Sequence, residues 1–226
     1  MAMRDALNTL WLVALFAAAI FFNDVVMERR MGNFLSTHPE IVLNALAQAQ
    51  SQHANASATR MQQNLSAHWD VLSQTHAYAV RFNGSQFTSR LVRIGDVAKP
   101  KNLNLLVTDY RCGYCKADRT AVDALLRGNP NRDFVFIEAA ILGPDSVELA
   151  KEALQRAQDG EADYYVIHNR QFDAPDGSSS SSEHGHTEDA LLAEQKRFLE
   201  IVGVFATPTY IRDGVFRSGT IGTPDG

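Results

Sequence analysis

Two cysteines, Cys112 and Cys115, are the only ones in the 226-residue chain, and they stand three residues apart. A disulfide between residues this close closes a loop too short to constrain an unfolded chain much, so the pair serves chemistry rather than stapling. Their surroundings narrow the fold further. Leu103 to Val107 reads as an apolar strand ending at Thr108-Asp109-Tyr110, and Ala117 to Leu126 carries a helical pattern, which puts the cysteines where a helix begins. A C-x-x-C at that junction fits thiol–disulfide exchange or half of a structural zinc site. The second half of a zinc site would have to come from histidine, and His184 with His186 is the only close pair.

Exchange needs a thiolate, a second thiol able to close the ring, and access for a protein partner. At a helix N-terminus the backbone N–H groups and the dipole favour the thiolate of the first cysteine, while the second lies one turn in and is covered. Cys112 is then the attacking residue and Cys115 the resolving one. Lowering a thiol pKa by about two units takes about 3 kcal/mol, and the helix dipole supplies about 0.3–1 kcal/mol. Local hydrogen bonds must provide the rest, so Gly113 and Tyr114, which shape them, tune the redox poise.

Short alternating runs, Tyr78-Val80-Phe82 and Leu91-Val92-Ile94, flank Asn83-Gly84 and read as a hairpin. Phe134 to Ile137 is the next strand after the cysteine helix, and Val147 to Ala157 the next helix. After a Ser-rich loop at 177–182 come a helix over Ala190 to Val202, a strand at Thr209 to Ile211, a turn at Asp213-Gly214 and a strand from Val215. This order of strands and helices predicts an α/β sheet. With 45% hydrophobic residues there is material for one ordinary core. A net charge of -5 and a pI near 5.8 exclude the basic footprint of a nucleic-acid binder.

Two extensions precede that domain. Residues 1–30 hold Arg4 and the apolar run Leu10 to Phe22, resumed by Val25-Val26, which reads as a signal peptide or as an uncleaved signal anchor over residues 10–26. Residues 31–76 read as a helical arm, with Thr37 as the cap and a helix from Pro39 to Leu72. Ile41, Ala45, Leu46 and Ala49 recur on one face of it. Its apolar stripe is thin, so it must pack on the main domain, over residues 77–226, or on copies of itself.

The stretch Leu106-Val107-Thr108-Asp109-Tyr110-Arg111-Cys112-Gly113-Tyr114-Cys115-Lys116 resembles the active-site segment of the DsbA-like thioredoxin-fold oxidoreductases, in particular the ScsC-type and Com-type branch of bacterial envelope proteins. Further likenesses follow in the family's order: Ile141-Leu142-Gly143-Pro144-Asp145-Ser146, Tyr164-Tyr165-Val166-Ile167-His168, and Val202 to Thr209 with its Thr207-Pro208. His38-Pro39-Glu40-Ile41 resembles the start of that branch's N-terminal arm. The resemblance implies a thioredoxin-like fold with a helical insert at about 145–204 and an N-terminal helical arm. It also implies that Pro208 is a cis-proline facing the cysteines and that Thr207 presents backbone to substrate and helps keep metals off the thiols. Two departures stand out: Ala140 occupies a position where proline is usual, and the chain stops at Gly226, short of the family's final helix.

Taken together, the expectation is a protein thiol:disulfide oxidoreductase of the periplasm, soluble after cleavage or anchored to the inner membrane, with no cofactor and no bound metal. Its partners are exported protein thiols and disulfides, a membrane redox partner for recycling, and further copies of itself through the arm. Cys-Gly-Tyr-Cys and the threonine before Pro208 resemble the bacterial disulfide isomerases, which favours an isomerase or reductase. A DsbA-like dithiol oxidase, and a non-catalytic envelope binding protein on the same fold, are the alternatives.

Overall fold

Two adjacent apolar strands set the architecture. In the computed structural model, which describes residue 27, residues 30–175 and residues 186–221, β3 (Leu105–Thr108) and β4 (Phe134–Glu138) run parallel and are buried on both faces. β1 (His76–Phe82) and β2 (Phe87–Arg93) form a hairpin that joins β4 in antiparallel fashion, and β5 (Thr209–Arg212) and β6 (Val215–Ser218) form a second hairpin beside β3. The sheet order is β2-β1-β4-β3-β5-β6. Residues 1–26, 28 and 29 of the expected leader over residues 1–30, the Ser-rich run and His184 lie outside the described residues. Among the described residues no helix is long and apolar enough to cross a membrane.

The helices are α1 (Pro39–Ala67), α2 (Trp69–Leu72), α3 (Ile94–Val97), α4 (Gly113–Arg127), α5 (Pro144–Gln158), α6 (Tyr164–Gln171) and α7 (His186–Val202). The chain divides into two compact units, residues 1–53 and 54–226. In the first, residues 30–37 are helical and break at His38. Thr37 therefore ends that stretch rather than capping α1: its hydroxyl donates back to the carbonyl oxygens of Asn33 and Phe34. Proline at the first position of α1 has no N–H to satisfy and cannot continue the preceding turn, which is why the break falls here. Ile41, Val42, Leu43 and Leu46 stand exposed on α1.

In the second unit, alternation divides the strand side chains between the two faces. Leu105, Val107, Val135 and Ile137 pack with Met61 and Leu65 of α1, Leu72, Ile94, and Phe198 and Val202 of α7. Leu106, Phe134 and Phe136 point the other way, against Val122 and Leu126 of α4, Leu154 of α5 and Tyr164 and Tyr165 of α6. Ile94 leaves the strand in which it was expected. It is fully buried, and the backbone turns there so that Ile94 N–H and Gly95 N–H donate to Thr75 O and Ser73 O. Gly95 allows that approach, since a Cβ would lie 2.7 Å from Cβ of Ser73. The expected helix over Pro39 to Leu72 likewise divides, at His68, into α1 and α2.

The turn expected at Asp213-Gly214 is a two-residue connection in which both residues have positive φ, 49° and 74°. That is the handedness which matches strand twist. Gly214 is required for a second reason: a Cβ would sit 2.3 Å from Pro100 O.

Candidate redox site

The first cysteine is built into the helix end. β3 stops at Thr108, three residues turn the chain, and Cys112 is the N-cap of α4. Its Sγ accepts the N–H of Cys115 at 3.2 Å, a donor that no helical carbonyl could satisfy. The same Sγ donates to Thr207 O at 3.4 Å, and the Thr207–Pro208 peptide is cis. Thus Cys112, Cys115, Thr207 and Pro208 are brought together from segments 95 residues apart in sequence. Both sulfurs are free thiols with little exposure, 6% for Cys112 and 4% for Cys115. Access lies over Gly113, beside whose Cα there is open space, and over Tyr114, 72% exposed. Phe205, two residues before Thr207, is 77% exposed.

The two thiols differ chemically. Burial pushes the Cys115 thiol well above the ordinary range, and its hydrogen bond with Cys112 pushes in the same direction. Backbone at Asp109 and the contact with Thr207 offset part of this.

Asp109, which sequence patterning passed over, holds the loop together. It is buried, and its Oδ1 accepts Arg111 N–H at 2.8 Å and Ser146 Oγ–H at 2.6 Å. Its Oδ2 accepts Ile141 N–H at 2.8 Å and Leu142 N–H at 3.1 Å. One carboxylate therefore ties the cysteine loop to the segment after β4. Ala140 in that segment has φ 48°, a value that the proline ring cannot reach, so the departure from the family's usual residue matches the backbone. Arg111 adds an ion pair with Asp145 and bonds to Ala174 O and Pro175 O, and Arg119 reaches Asn169 O and Asp173. Both arginines fasten the insert to the start of α4.

Two buried acids flank the pair. Asp118, one turn beyond Cys115, accepts Tyr210 Oη–H and Ile221 N–H. Glu138, at the end of β4, accepts Tyr110 Oη–H at 2.7 Å, Tyr164 Oη–H and His168 Nδ1 at 3.0 Å, all on Oε1. All four residues of this cluster are buried. Burial, reinforced by the Glu138 charge, holds both tyrosines well above their usual pKa, so they remain donors. In the sequence the cluster shows as a glutamate closing an apolar strand, Phe-Val-Phe-Ile-Glu, beside Tyr110 and the Tyr164 to His168 stretch, with nothing to say that they meet. Among the described residues no group of three His, Cys, Asp or Glu side chains is arranged to hold a metal.

No protein-family model matches the chain, and no curated protein matches it. Solved structures do. Proteus mirabilis ScsC in a compact conformation superposes with a TM-score of 0.54 at 16% identity, covering 82% of this chain and 93% of that one. The catalytic domain of the same protein gives 0.52 at 17% identity over 70% and 90%. The fold is thioredoxin-like, as in ScsC. A thioredoxin-like oxidoreductase from Silicibacter pomeroyi DSS-3 shares it, with a TM-score of 0.50 at 20% identity over 67% of this chain and 88% of that one. Between β4 and β5 the chain runs through the three helices α5, α6 and α7.

Proposed function

We propose that this chain exchanges thiols and disulfides with exported proteins, Cys112 attacking and Cys115 resolving. The observation that carries the reading is the placement of Cys112 Sγ. It receives a backbone N–H at a helix N-terminus and lies against the carbonyl of Thr207, so a nucleophilic sulfur adjoins backbone able to align an extended substrate. The covered Cys115 is the partner that closes the ring and releases substrate. Gly113 and Tyr114 set the poise, and no cofactor is needed because the electrons move between sulfurs. Exported substrates carry their disulfides in an oxidising compartment, and on that ground we assign the domain to the periplasm, with a membrane redox partner to recycle it.

The direction we assign is isomerase or reductase. The exposed Ile41, Val42, Leu43 and Leu46 of α1 support self-association through the arm, which would present several active sites to one misfolded substrate. The test compares wild type with Cys112→Ala in insulin reduction and in refolding of a scrambled disulfide substrate. Wild type is expected to exceed the variant in both. Activity no higher than the variant's in either assay refutes exchange, and dithiol oxidation without isomerisation reverses the direction. Light scattering of the exported part should show an oligomer that is lost when Ile41, Leu43 and Leu46 are changed together to serine; a monomer in both forms removes the support for isomerisation.

A further inference from the structure

The second half of the exchange raises a difficulty that the cysteines do not solve. To resolve a mixed disulfide, Cys115 must lose its proton, yet it is 4% exposed and its thiol is raised by burial. Bulk water reaches it poorly, so a proton acceptor inside the protein is required.

One side chain is placed for this. A small, partly open recess of about 10 Å³ is lined by both Cys115 and His168. It is of the size at which about one water fits. Thr108 lines it as well, and its buried Oγ1 has no hydrogen-bond partner among the described residues, so the space has a polar wall. On its far side His168 is fixed by Nδ1, 3.0 Å from Glu138 Oε1. Tyr110 and Tyr164, kept protonated, donate to the same oxygen, so the imidazole proton resides on Nδ1 and the lone pair on Nε2. No hydrogen bond to Nε2 is made among the described residues. Cys115 and His168 thus line one recess, and Glu138 stands behind the imidazole, where its carboxylate can stabilise an imidazolium when it forms.

We propose that His168, held by Glu138, takes the proton of Cys115 when that thiol resolves the mixed disulfide, and returns it in the reverse reaction. This rests on the exchange reading above. Cys112 thiolate first attacks the substrate disulfide, forming a Cys112–substrate disulfide and releasing one substrate thiolate. The Cys115 S–H bond then breaks, its proton passing to His168 Nε2 directly or across one water. The Cys115 sulfur attacks Cys112 Sγ, the Cys112–Cys115 bond forms, the bond from Cys112 to substrate breaks, and the second substrate thiolate leaves. The protein dithiol has lost two electrons and the substrate disulfide has gained them, while the proton goes from His168 to the departing thiolate or to solvent. Other groups facing this path are Arg119 from α4, Tyr165 from α6 and Tyr210 from β5 around the space, with Tyr110, Tyr164 and Glu138 behind the imidazole. Arg119 is already engaged by Asn169 O and Asp173, and the four tyrosines stay neutral, so none of these groups competes with the imidazole for the proton.

The experiment uses the reduced full chain and dithiobis(nitrobenzoate), a chromogenic disulfide that liberates one coloured thiolate on attack by Cys112 and a second on ring closure. His168→Gln is expected to keep the first phase and slow the second by about 100-fold near pH 7. The deficit should shrink as pH rises and hydroxide takes over. Glu138→Gln is expected to slow the same phase by about tenfold. A second phase as fast in His168→Gln as in wild type between about pH 6 and 8 overturns the proposal, as does a slowing that does not change with pH. If the variant does not fold, the ring-nitrogen NMR titration of His168 in wild type decides: it should differ between dithiol and disulfide forms, and an identical titration overturns the proposal. A wild type that never gives the first phase refutes exchange itself, a separate result.

Discussion

Removing the Asp109 carboxylate is the sharpest test of how the site is assembled. Asp109→Ala deletes an acceptor for four donors. Ser146 is fully buried, so its hydroxyl would lose its partner without water to replace it, at about 1–3 kcal/mol. The N–H groups of Arg111, Ile141 and Leu142 belong to residues with more exposure, and water would repay much of their loss, leaving about 0.5–1 kcal/mol each. The sum is about 2.5–6 kcal/mol, a large part of the 5–15 kcal/mol typical of a domain. With an m-value of about 2 kcal/mol/M, the urea midpoint should fall by about 2 M. Asp109→Asn separates the two sides of the carboxylate. With its oxygen toward Arg111 and Ser146, its amide would meet the N–H groups of Ile141 and Leu142 as donor against donor, which frees the segment after β4 while keeping the cysteine loop. Hydrogen exchange at Ile141 and Leu142 should then rise selectively. A loss below about 1 kcal/mol for Asp109→Ala would refute the assignment of Asp109 as the tie between the two loops.

Three further outcomes follow from the same structure. Iodoacetamide at pH 7 to 8 should leave the folded, reduced protein with one adduct, on Cys112, because burial raises the Cys115 thiol above that range; peptide mapping that finds Cys115 modified in folded protein contradicts this. Burial alone would raise the Asp133 carboxyl, but bonds from Arg81 and Arg90 hold it below its usual value, so its stabilisation is present above the unfolded pKa of about 3.9 and lost as pH falls through the depressed folded value. Asp133→Asn should therefore cost about 1–2 kcal/mol near pH 7 and progressively less below about pH 4, and a deficit that persists unchanged in acid argues against the sign. Ala140→Gly should gain about 0.5–1 kcal/mol and Ala140→Pro should lose about 3 kcal/mol or more in urea melts, since φ is 48° there; equal stability of the two variants would show that this backbone does not matter.

The parts of this protein legible in its sequence are those decided by neighbours along the chain. A C-x-x-C between an apolar strand and an amphipathic helix places Cys112 at a helix N-cap because helix ends are set by local backbone satisfaction. The Asp213-Gly214 turn and the strands β3 to β6 follow from equally local rules. The expected cap at Thr37 failed for the same kind of reason, since Pro39 placed the break one residue later. Tertiary structure alone decided what surrounds the sulfurs. Strands β3 and β4 are buried on both faces, so their apolar letters do not tell which face receives Glu138, and only packing against α6 puts it under Tyr110, Tyr164 and His168. Asp109 reads as a turn residue in sequence; its bonds reach 32 to 37 residues onward and exist only once the insert has folded back. The thiol pair belongs to the chain's local order, whereas its proton path and its rigidity come from groups distant in sequence, because hydrogen bonds of buried charges are settled by whichever donors the fold brings within about 3 Å.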